Sequence, residues 1–216
     1  MEFAQAWVEI SAANLRHNLA VIRRRIGVHV LVAAVVKGDA YGHGLLEIAR
    51  CLDSPWGADM LVAGTINEGI KIRNAGITLP VLLLSPLDAS QQSIDNFTAN
   101  QAGRGTVLDA LLEYDLIPSI YTVKFARKLH MKCLERGKKA KIHMRLDTNH
   151  SGYGIPASKF PAAFSHILRL SKLKVDGVYT HLEESYASSP EKCMRQLQVF
   201  DQALSAVPKE QRAEIT

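Results

Sequence analysis

The chain has 216 residues, of which 47% are hydrophobic and 22% are charged, with a formal net charge of +5. This composition excludes a disordered chain, and no apolar run reaches the roughly 18 residues that would cross a bilayer. Three widely spaced cysteines, Cys51, Cys133 and Cys193, exclude a disulfide framework and a metal-binding pattern; because we find no secretory signal, we expect a cytoplasmic protein without a metal.

Short apolar runs alternate with helical stretches along the chain, beginning with the predicted strand "AWVEI". The next stretch predicts a helix with Ser11 as its N-cap and with Leu15, Leu19 and Ile22 on one face. The run "VLVAAVVK" is apolar on both faces, as is typical of a parallel strand covered on both sides. We predict strands at residues 6–10, 30–37, 60–65, 79–86, 117–122, 139–147 and 173–182, with a weak strand at 101–108. We predict helices at residues 11–26, 44–54, 66–77, 89–97, 156–171 and 189–207, with a basic helix after residue 122.

The positive charge is concentrated in two stretches, residues 23–25 and 124–141. The second stretch has Phe125, Leu129, Met131 and Leu134 at helical spacing, which favours the solvated face of an amphipathic helix. Since no nucleic-acid-binding motif accompanies it, we expect no nucleic-acid partner and no membrane partner.

The repeated alternation of strands and helices favours an α/β fold with a parallel sheet. Both an open doubly wound sheet and a β/α barrel fit the pattern. Lys37, Asp147 and His181 all follow predicted strands, and the carboxyl ends of strands are where chemistry gathers in either fold.

The most distinctive stretch is "VVKGDAYGHG", in which a buried strand ends on Lys37. A lysine in this place is either a solvated strand end or a reactive amine. A neutral amine can form a Schiff base with pyridoxal phosphate, while Tyr41 could donate to a phosphate and His181 could lie against the ring. The alternative is that Lys37 reaches solvent, Tyr41 borders the core and His181 is an ordinary buried histidine.

The string "AVVKGDAYGHG" closely resembles the cofactor-lysine motif of the bacterial alanine racemases. The stretches "VAGTINEGIKIRNAGITLPVLLLSP", "RLDTNHSGYGI" and "VDGVYTHL" resemble other parts of that family in the same order. The resemblance therefore covers nearly all of the chain.

The resemblance implies a (β/α)8 TIM-barrel type fold that binds pyridoxal 5'-phosphate and interconverts L-alanine and D-alanine, which supplies peptidoglycan precursors. It implies that Lys37 holds the cofactor as a Schiff base and is one of two proton-transferring bases, that Tyr41 contacts the phosphate, and that His181 packs on the ring. It also implies a small amino acid as substrate and a homodimer as the assembly.

Two features depart from the family pattern. Arg145 stands where the family has a lysine that is often carbamylated, and Gly152 stands where it has an arginine. We hypothesise that the Arg145 guanidinium partly replaces that arginine as a donor to an oxyanion; the alternatives are a decayed site or a merely solvated Arg145.

The chain also carries about six barrel strands, so residues 1–216 are expected to form the N-terminal barrel domain, ending before the last barrel strands and the C-terminal β domain. Because the resemblance places the second base in that later domain, we expect weak or absent racemase activity. Two other functions stay open: a non-catalytic, single-domain pyridoxal-phosphate carrier of the same barrel type, and an interaction or remnant protein without cofactor.

Overall fold

A computed structural model describes residues 8–87, 106–148, 153–182 and 190–212 of the chain. The chain divides into two compact units, Met1–Leu84 and Ser85–Thr216. Each unit is a parallel sheet with helices packed against it, and the described strands of neither unit close into a barrel by themselves. The structure therefore confirms the predicted α/β class with parallel strands.

The first unit has three parallel strands that pair in the order in which they follow along the chain. Its elements are α1 (Ala12–Ile26), β1 (Ala33–Val35), α2 (Leu45–Leu52), β2 (Met60–Ala63), α3 (Ile66–Asn74) and β3 (Val81–Leu83). Val62 in the central strand lies opposite Val35 on one side and Leu82 on the other. Burial of Leu61, Ala63 and the facing helix residue Ile72 provides the apolar stabilisation of this unit.

The predicted start of α1 is confirmed, because the Ser11 hydroxyl accepts a hydrogen bond from the Asn14 amide at 3.2 Å. Only Leu19 of the predicted apolar face is buried, whereas Ile22 is 45% exposed. Arg23, from the first basic stretch, donates to Asp59 at 2.9 Å and to the Gly57 carbonyl at 2.7 Å. This contact ties α1 to the residues just before β2, which gives Arg23 a structural role.

Two predictions for the start of the chain are wrong. Residues 8–10 of the first predicted strand are exposed and form no strand, while the rest of that strand lies outside the described residues. The strand predicted at 30–37 is only three residues long, and Val35 is 41% exposed. Since β1 pairs only with β2 among the described strands of its unit, it is an edge strand and does not bury both faces.

The strands of the second unit are β4 (Ile117–Ile120), β5 (Ala140–Asp147), β6 (Ile155–Pro156) and β7 (Leu173–Tyr179). The unit is built around β5, which pairs in parallel with β4 on one side and β7 on the other, while β6 pairs with the end of β5. Its helices are α4 (Val107–Glu113), α5 (Val123–Glu135), α6 (Phe160–Leu168), α7 (Pro190–Ser205) and α8 (Lys209–Arg212), with a 3-10 turn at Ala157–Lys159.

The alternation of side chains along β5 separates an apolar face from a polar one. Ile142, Met144 and Leu146 are fully buried, and the buried ring pair Phe160 and Phe164 of α6 contributes to the same core, with ring centroids 5.9 Å apart. The residues between them point to the other face, which carries the charged and aromatic groups of the site described below.

The basic helix is confirmed as α5, with Phe125 and Leu129 buried. Met131 and Leu134 are 63% and 45% exposed, so they lie off the buried face. This arrangement supports the amphipathic interpretation of the basic stretch.

The weak strand predicted at 101–108 is wrong for Val107 and Leu108, which begin α4 behind the N-cap Thr106. The helix predicted from Pro156 begins later, since Pro156 lies in β6 and α6 starts at Phe160. The predicted helix at 89–97 lies outside the described residues. In the described part of the chain no helix is long and apolar enough to cross a membrane, and no group of metal-binding side chains is assembled.

Candidate functional site

Lys37 stands at the start of a left-handed turn that directly follows β1. In this segment, the lysine turn (Lys37–Gly42), Gly38, Asp39, Ala40 and Tyr41 have φ between 52° and 62° and ψ between 34° and 47°. Only glycine adopts this conformation without steric cost, and each other L-residue costs about 1–2 kcal/mol. Because Asp39, Ala40 and Tyr41 are not glycines, the turn carries strain of about 3–6 kcal/mol.

Hydrogen bonds along the backbone close the lysine turn. The Ala40 amide donates to the Val36 carbonyl at 2.9 Å, and the Gly44 amide donates to the Asp39 carbonyl at 3.0 Å. The Asp39 carboxylate accepts from the Leu45 amide at 2.8 Å, so it caps the start of α2. Val36, Ala40 and Leu45 are buried, which anchors the turn while its other residues face solvent.

A carboxylate from another element holds the turn in place. Glu68 Oε1 accepts from the Gly38 amide at 2.7 Å and from the Asp39 amide at 3.3 Å. Its Oε2 accepts from the amides of Gly64 and Thr65 at 2.8 and 3.0 Å, which completes a capping box at the start of α3. Hydrogen bonds to a charged acceptor contribute about 1.5–3 kcal/mol each, so Glu68 offsets a large part of the strain.

Gly64 allows Lys37 to pack closely on the end of β2. A Cβ atom on residue 64 would lie 3.0 Å from Lys37 Cβ and 3.1 Å from Glu68 Oε2, tighter than ordinary contacts. The Lys37 side chain is exposed, and its amine has no hydrogen bond or ion pair with any residue of the described ranges. The Lys37 side chain is therefore held in place at its Cβ, while its amine is accessible to solvent.

Tyr41 lies at the other end of the lysine turn and is 62% exposed. The interpretation of Tyr41 as a core-edge residue is therefore wrong. The structure brings Lys37 and Tyr41 together on one turn, with both side chains accessible.

His181 belongs to the second unit, two residues after the end of β7. Its side chain is exposed, so the interpretation as a buried histidine is wrong. Its carbonyl accepts a hydrogen bond from Gln196 of α7 at 3.3 Å, and the same Gln196 amide donates to Thr148 at 3.1 Å. Thr148 in turn shares a 2.8 Å hydrogen bond with Thr180, so buried Gln196 joins the ends of β5 and β7.

Arg145 lies on the polar face of β5 between two tyrosine rings. Its guanidinium carbon is 5.6 Å from the centre of the Tyr121 ring and 5.9 Å from that of Tyr179, and Nη1 donates to the Tyr121 hydroxyl at 3.2 Å. Arg145 Nε is buried with no hydrogen-bond partner among the described residues. These contacts rule out a merely solvated Arg145; Gly152, the other departure from the family pattern, lies outside the described residues.

Burial controls the protonation of the groups around Arg145. Burial raises the pKa of Tyr179 far above its ordinary value, although its 2.7 Å hydrogen bond with Ser119 and the charge of Arg145 oppose this shift. Burial lowers the pKa of His143, with Lys141 adding to the shift and Asp176 opposing it. Near neutral pH Tyr179 is therefore a neutral phenol and His143 a neutral imidazole.

The sequence prediction missed Glu68, Gly64 and Gln196. The pattern "TINE" (residues 65–68) is a capping-box signal, but nothing in it indicates the second pair of hydrogen bonds to the lysine turn. Gln196 is a single polar residue on an amphipathic helix, a position that the pattern does not distinguish from a solvated one.

Comparisons with known proteins agree over most of the chain. The model of the family "Alanine racemase, N-terminal domain" matches residues 10–102 and 100–216. An alanine racemase from Synechocystis sp. is 30% identical over 203 residues, which are 94% of this chain and 50% of that protein. One from Methylacidiphilum infernorum is 33% identical over 181 residues, 84% of this chain and 42% of that protein. The chain thus spans about half the length of the curated relatives that it matches.

Comparison with solved structures also finds alanine racemases. The crystal structure of alanine racemase from Bacillus anthracis with bound L-Ala-P has a TM-score of 0.77 at 25% identity, covering 95% of this chain and 49% of that one. The alanine racemase of Clostridium difficile 630 has a TM-score of 0.75 at 24% identity, covering 90% and 47%. These similarities confirm the predicted α/β fold of the TIM-barrel type.

Proposed function

Because the chain belongs to the alanine racemase family, within its N-terminal domain, we propose that it binds pyridoxal 5'-phosphate covalently through Lys37 and serves in the racemisation of a small amino acid, with alanine as the substrate. The geometry of the lysine turn carries this proposal. The Lys37 side chain is fixed at its Cβ, and its exposed amine has no carboxylate partner among the described residues. Such an amine suits covalent capture of an aldehyde.

Three residues have separate roles in the proposed reaction. Lys37 would hold the cofactor through its amine, and once the amine of the substrate has displaced it, the free Lys37 amine would remove or return the proton at the substrate Cα on one face. Tyr41 donates its accessible hydroxyl to the cofactor phosphate, and His181 lies against the ring. Pyridoxal phosphate, when bound, stabilises the electron pair left at Cα by delocalising it.

Arg145 is proposed as a partial replacement for the family's missing arginine. Its contacts with Tyr121 and Tyr179 hold the guanidinium in place, and its unpartnered Nε leaves a donor available. Unchanged cofactor affinity in an Arg145→Ala variant would reject this role.

Racemisation also needs a base on the opposite face, and we expect that base from the half of the relatives that this chain does not cover. We propose a homodimer in the cytoplasm as the working assembly, on the strength of the family resemblance. The oligomeric state is measurable by light scattering on the purified protein.

The first experiment titrates the purified protein with pyridoxal phosphate, followed by borohydride reduction and peptide mapping. We expect a visible absorbance band and one modified peptide containing Lys37. Lys37→Ala should lose both signals, while Lys71→Ala, which removes an exposed lysine of α3 in the same unit, should keep them. Absence of the band in the wild-type protein would contradict the proposal and favour an interaction or remnant protein without cofactor.

The second experiment tests whether Lys37 acts as a base. In D2O with cofactor, Lys37 should exchange the Cα proton of one enantiomer of alanine without the second base, which NMR detects directly. Cofactor binding without proton exchange would favour the carrier function. A coupled assay for D-alanine then shows how much complete racemisation the chain supports.

A further inference from the structure

We propose that Glu68 is a positioning residue for Lys37. Its carboxylate fixes the lysine turn to the start of α3 and so sets the position from which the Lys37 amine acts. The inference rests on the proposed function of Lys37 and adds a residue to it that lies 31 positions away in the sequence.

The carboxylate divides its two oxygens between two segments. Among the described residues, Oε1 accepts from the lysine turn alone, from the Gly38 amide at 2.7 Å and the Asp39 amide at 3.3 Å. Within the same ranges, Oε2 accepts from the two residues that precede α3, Gly64 at 2.8 Å and Thr65 at 3.0 Å. One carboxylate therefore bridges the two segments with four charge-assisted hydrogen bonds.

The shortest of these bonds acts directly on the backbone of Lys37. The Gly38 N–H belongs to the planar peptide unit that begins at Lys37 Cα, so a bond to this N–H orients the lysine backbone. Since the turn is left-handed through three residues other than glycine, local preference does not hold it there. Gly64, which donates to the same carboxylate, lies directly under Lys37 Cβ.

The competing explanation is that Glu68 only caps α3. The chain contains a comparison for this in the second unit, where Asp109 and Thr106 form a complete capping box at the start of α4. A carboxylate one methylene shorter therefore suffices for the cap. Aspartate at position 68 should keep the cap but should not reach Gly38 and Asp39.

This difference separates positioning from capping. For Glu68→Asp we expect at least tenfold weaker capture of pyridoxal phosphate by Lys37 and a lower free energy of unfolding, because the two charge-assisted hydrogen bonds to the lysine turn are lost. Amide hydrogen exchange should accelerate at Gly38 and Asp39, while Gly64 and Thr65 stay protected. Glu68→Gln, which brings an N–H₂ group against these donors, should lose both stability and capture.

Asp109→Asn is the matched control. It should lower stability while leaving capture and the exchange at Gly38 unchanged. Capture by Glu68→Asp equal to that of the wild type, or unchanged exchange at Gly38, would overturn the inference. If the wild-type protein captures no cofactor, the proposed function fails by itself, and the exchange at Gly38, with acetic anhydride labelling of Lys37 in both proteins, still decides whether Glu68 positions this lysine.

Discussion

Replacing Gly64 with alanine should displace Lys37 without changing any group that reacts. The added Cβ would lie 3.0 Å from Lys37 Cβ and 3.1 Å from Glu68 Oε2, so each must withdraw by a few tenths of an ångström. Both neighbours are held by hydrogen bonds in the lysine turn and the α3 cap. Withdrawal therefore strains the contacts that orient the lysine.

The size of the effect follows from two opposing contributions. Crowding by an inserted methyl group costs about 1–3 kcal/mol, whereas replacing glycine by alanine restricts the unfolded chain and returns about 0.4–1 kcal/mol. We expect Gly64→Ala to lose about 1–2 kcal/mol of unfolding free energy in urea denaturation. We also expect weaker capture of pyridoxal phosphate, measured by absorbance and borohydride trapping.

Gly76→Ala controls for stability in the same unit. Gly76 has φ of +79° and nothing within 4 Å of an added Cβ, so its replacement costs backbone strain of about 1 kcal/mol without touching Lys37. Cofactor binding by Gly64→Ala as tight as that by Gly76→Ala would refute the predicted displacement of Lys37.

Three further predictions concern the second unit. Burial would raise the pKa of Asp109, but hydrogen bonds from Thr106 and Arg136 and the charge of Lys132 lower it from 3.8 to about 2. Asp109→Asn should therefore lower the free energy of unfolding at pH 7 by about 2 kcal/mol, measured by urea denaturation. That difference should fade as the pH falls below 3.8 through 2, and a constant difference would contradict it. Because burial lowers the pKa of His143, protonation of this histidine in the unfolded chain should reduce stability as the pH falls below 6.5. In thermal unfolding, His143→Gln should therefore show a smaller decrease of the unfolding temperature with falling pH. An unchanged decrease would show that other groups cause it. Gln196→Leu should lower the unfolding free energy by about 1–2 kcal/mol, since Thr148 and the His181 carbonyl each lose a donor; an equally stable variant would show that these bonds contribute nothing.

Much of the fold could be predicted because hydrophobic periodicity determines where helices and buried strands form. The strands β2, β3, β5 and β7 and the helices α1, α3, α5 and α7 are where the pattern predicts them. One failure occurs where periodicity gives little information. The weak strand at 101–108 gave way to α4 because the capping box of Thr106 and Asp109 favours a helix, a local signal that the apolar pattern conceals.

The candidate site was predicted in its residue types and not in its geometry. The glycines of "VVKGDAYGHG" indicate a loop, but three consecutive left-handed residues other than glycine contradict local preference. Besides the hydrogen bonds within the turn, tertiary contacts from Glu68 and the burial of Val36 and Ala40 stabilise this segment. Contacts between residues so far apart in the sequence cannot be predicted from the local pattern of residues.

The lysine turn illustrates why strain and support occur together at a reactive residue. A relaxed loop would let the Lys37 amine sample many positions, and ordering it on cofactor binding would then cost conformational entropy. In this chain folding itself fixes the base of the side chain, because a left-handed backbone is joined to α3 through one carboxylate. The strain is stored before any ligand arrives, so the binding energy of the cofactor is available for the chemistry at Cα. Without Glu68 the turn would lose the contacts that offset its strain, and the base of the Lys37 side chain would lose its fixed position.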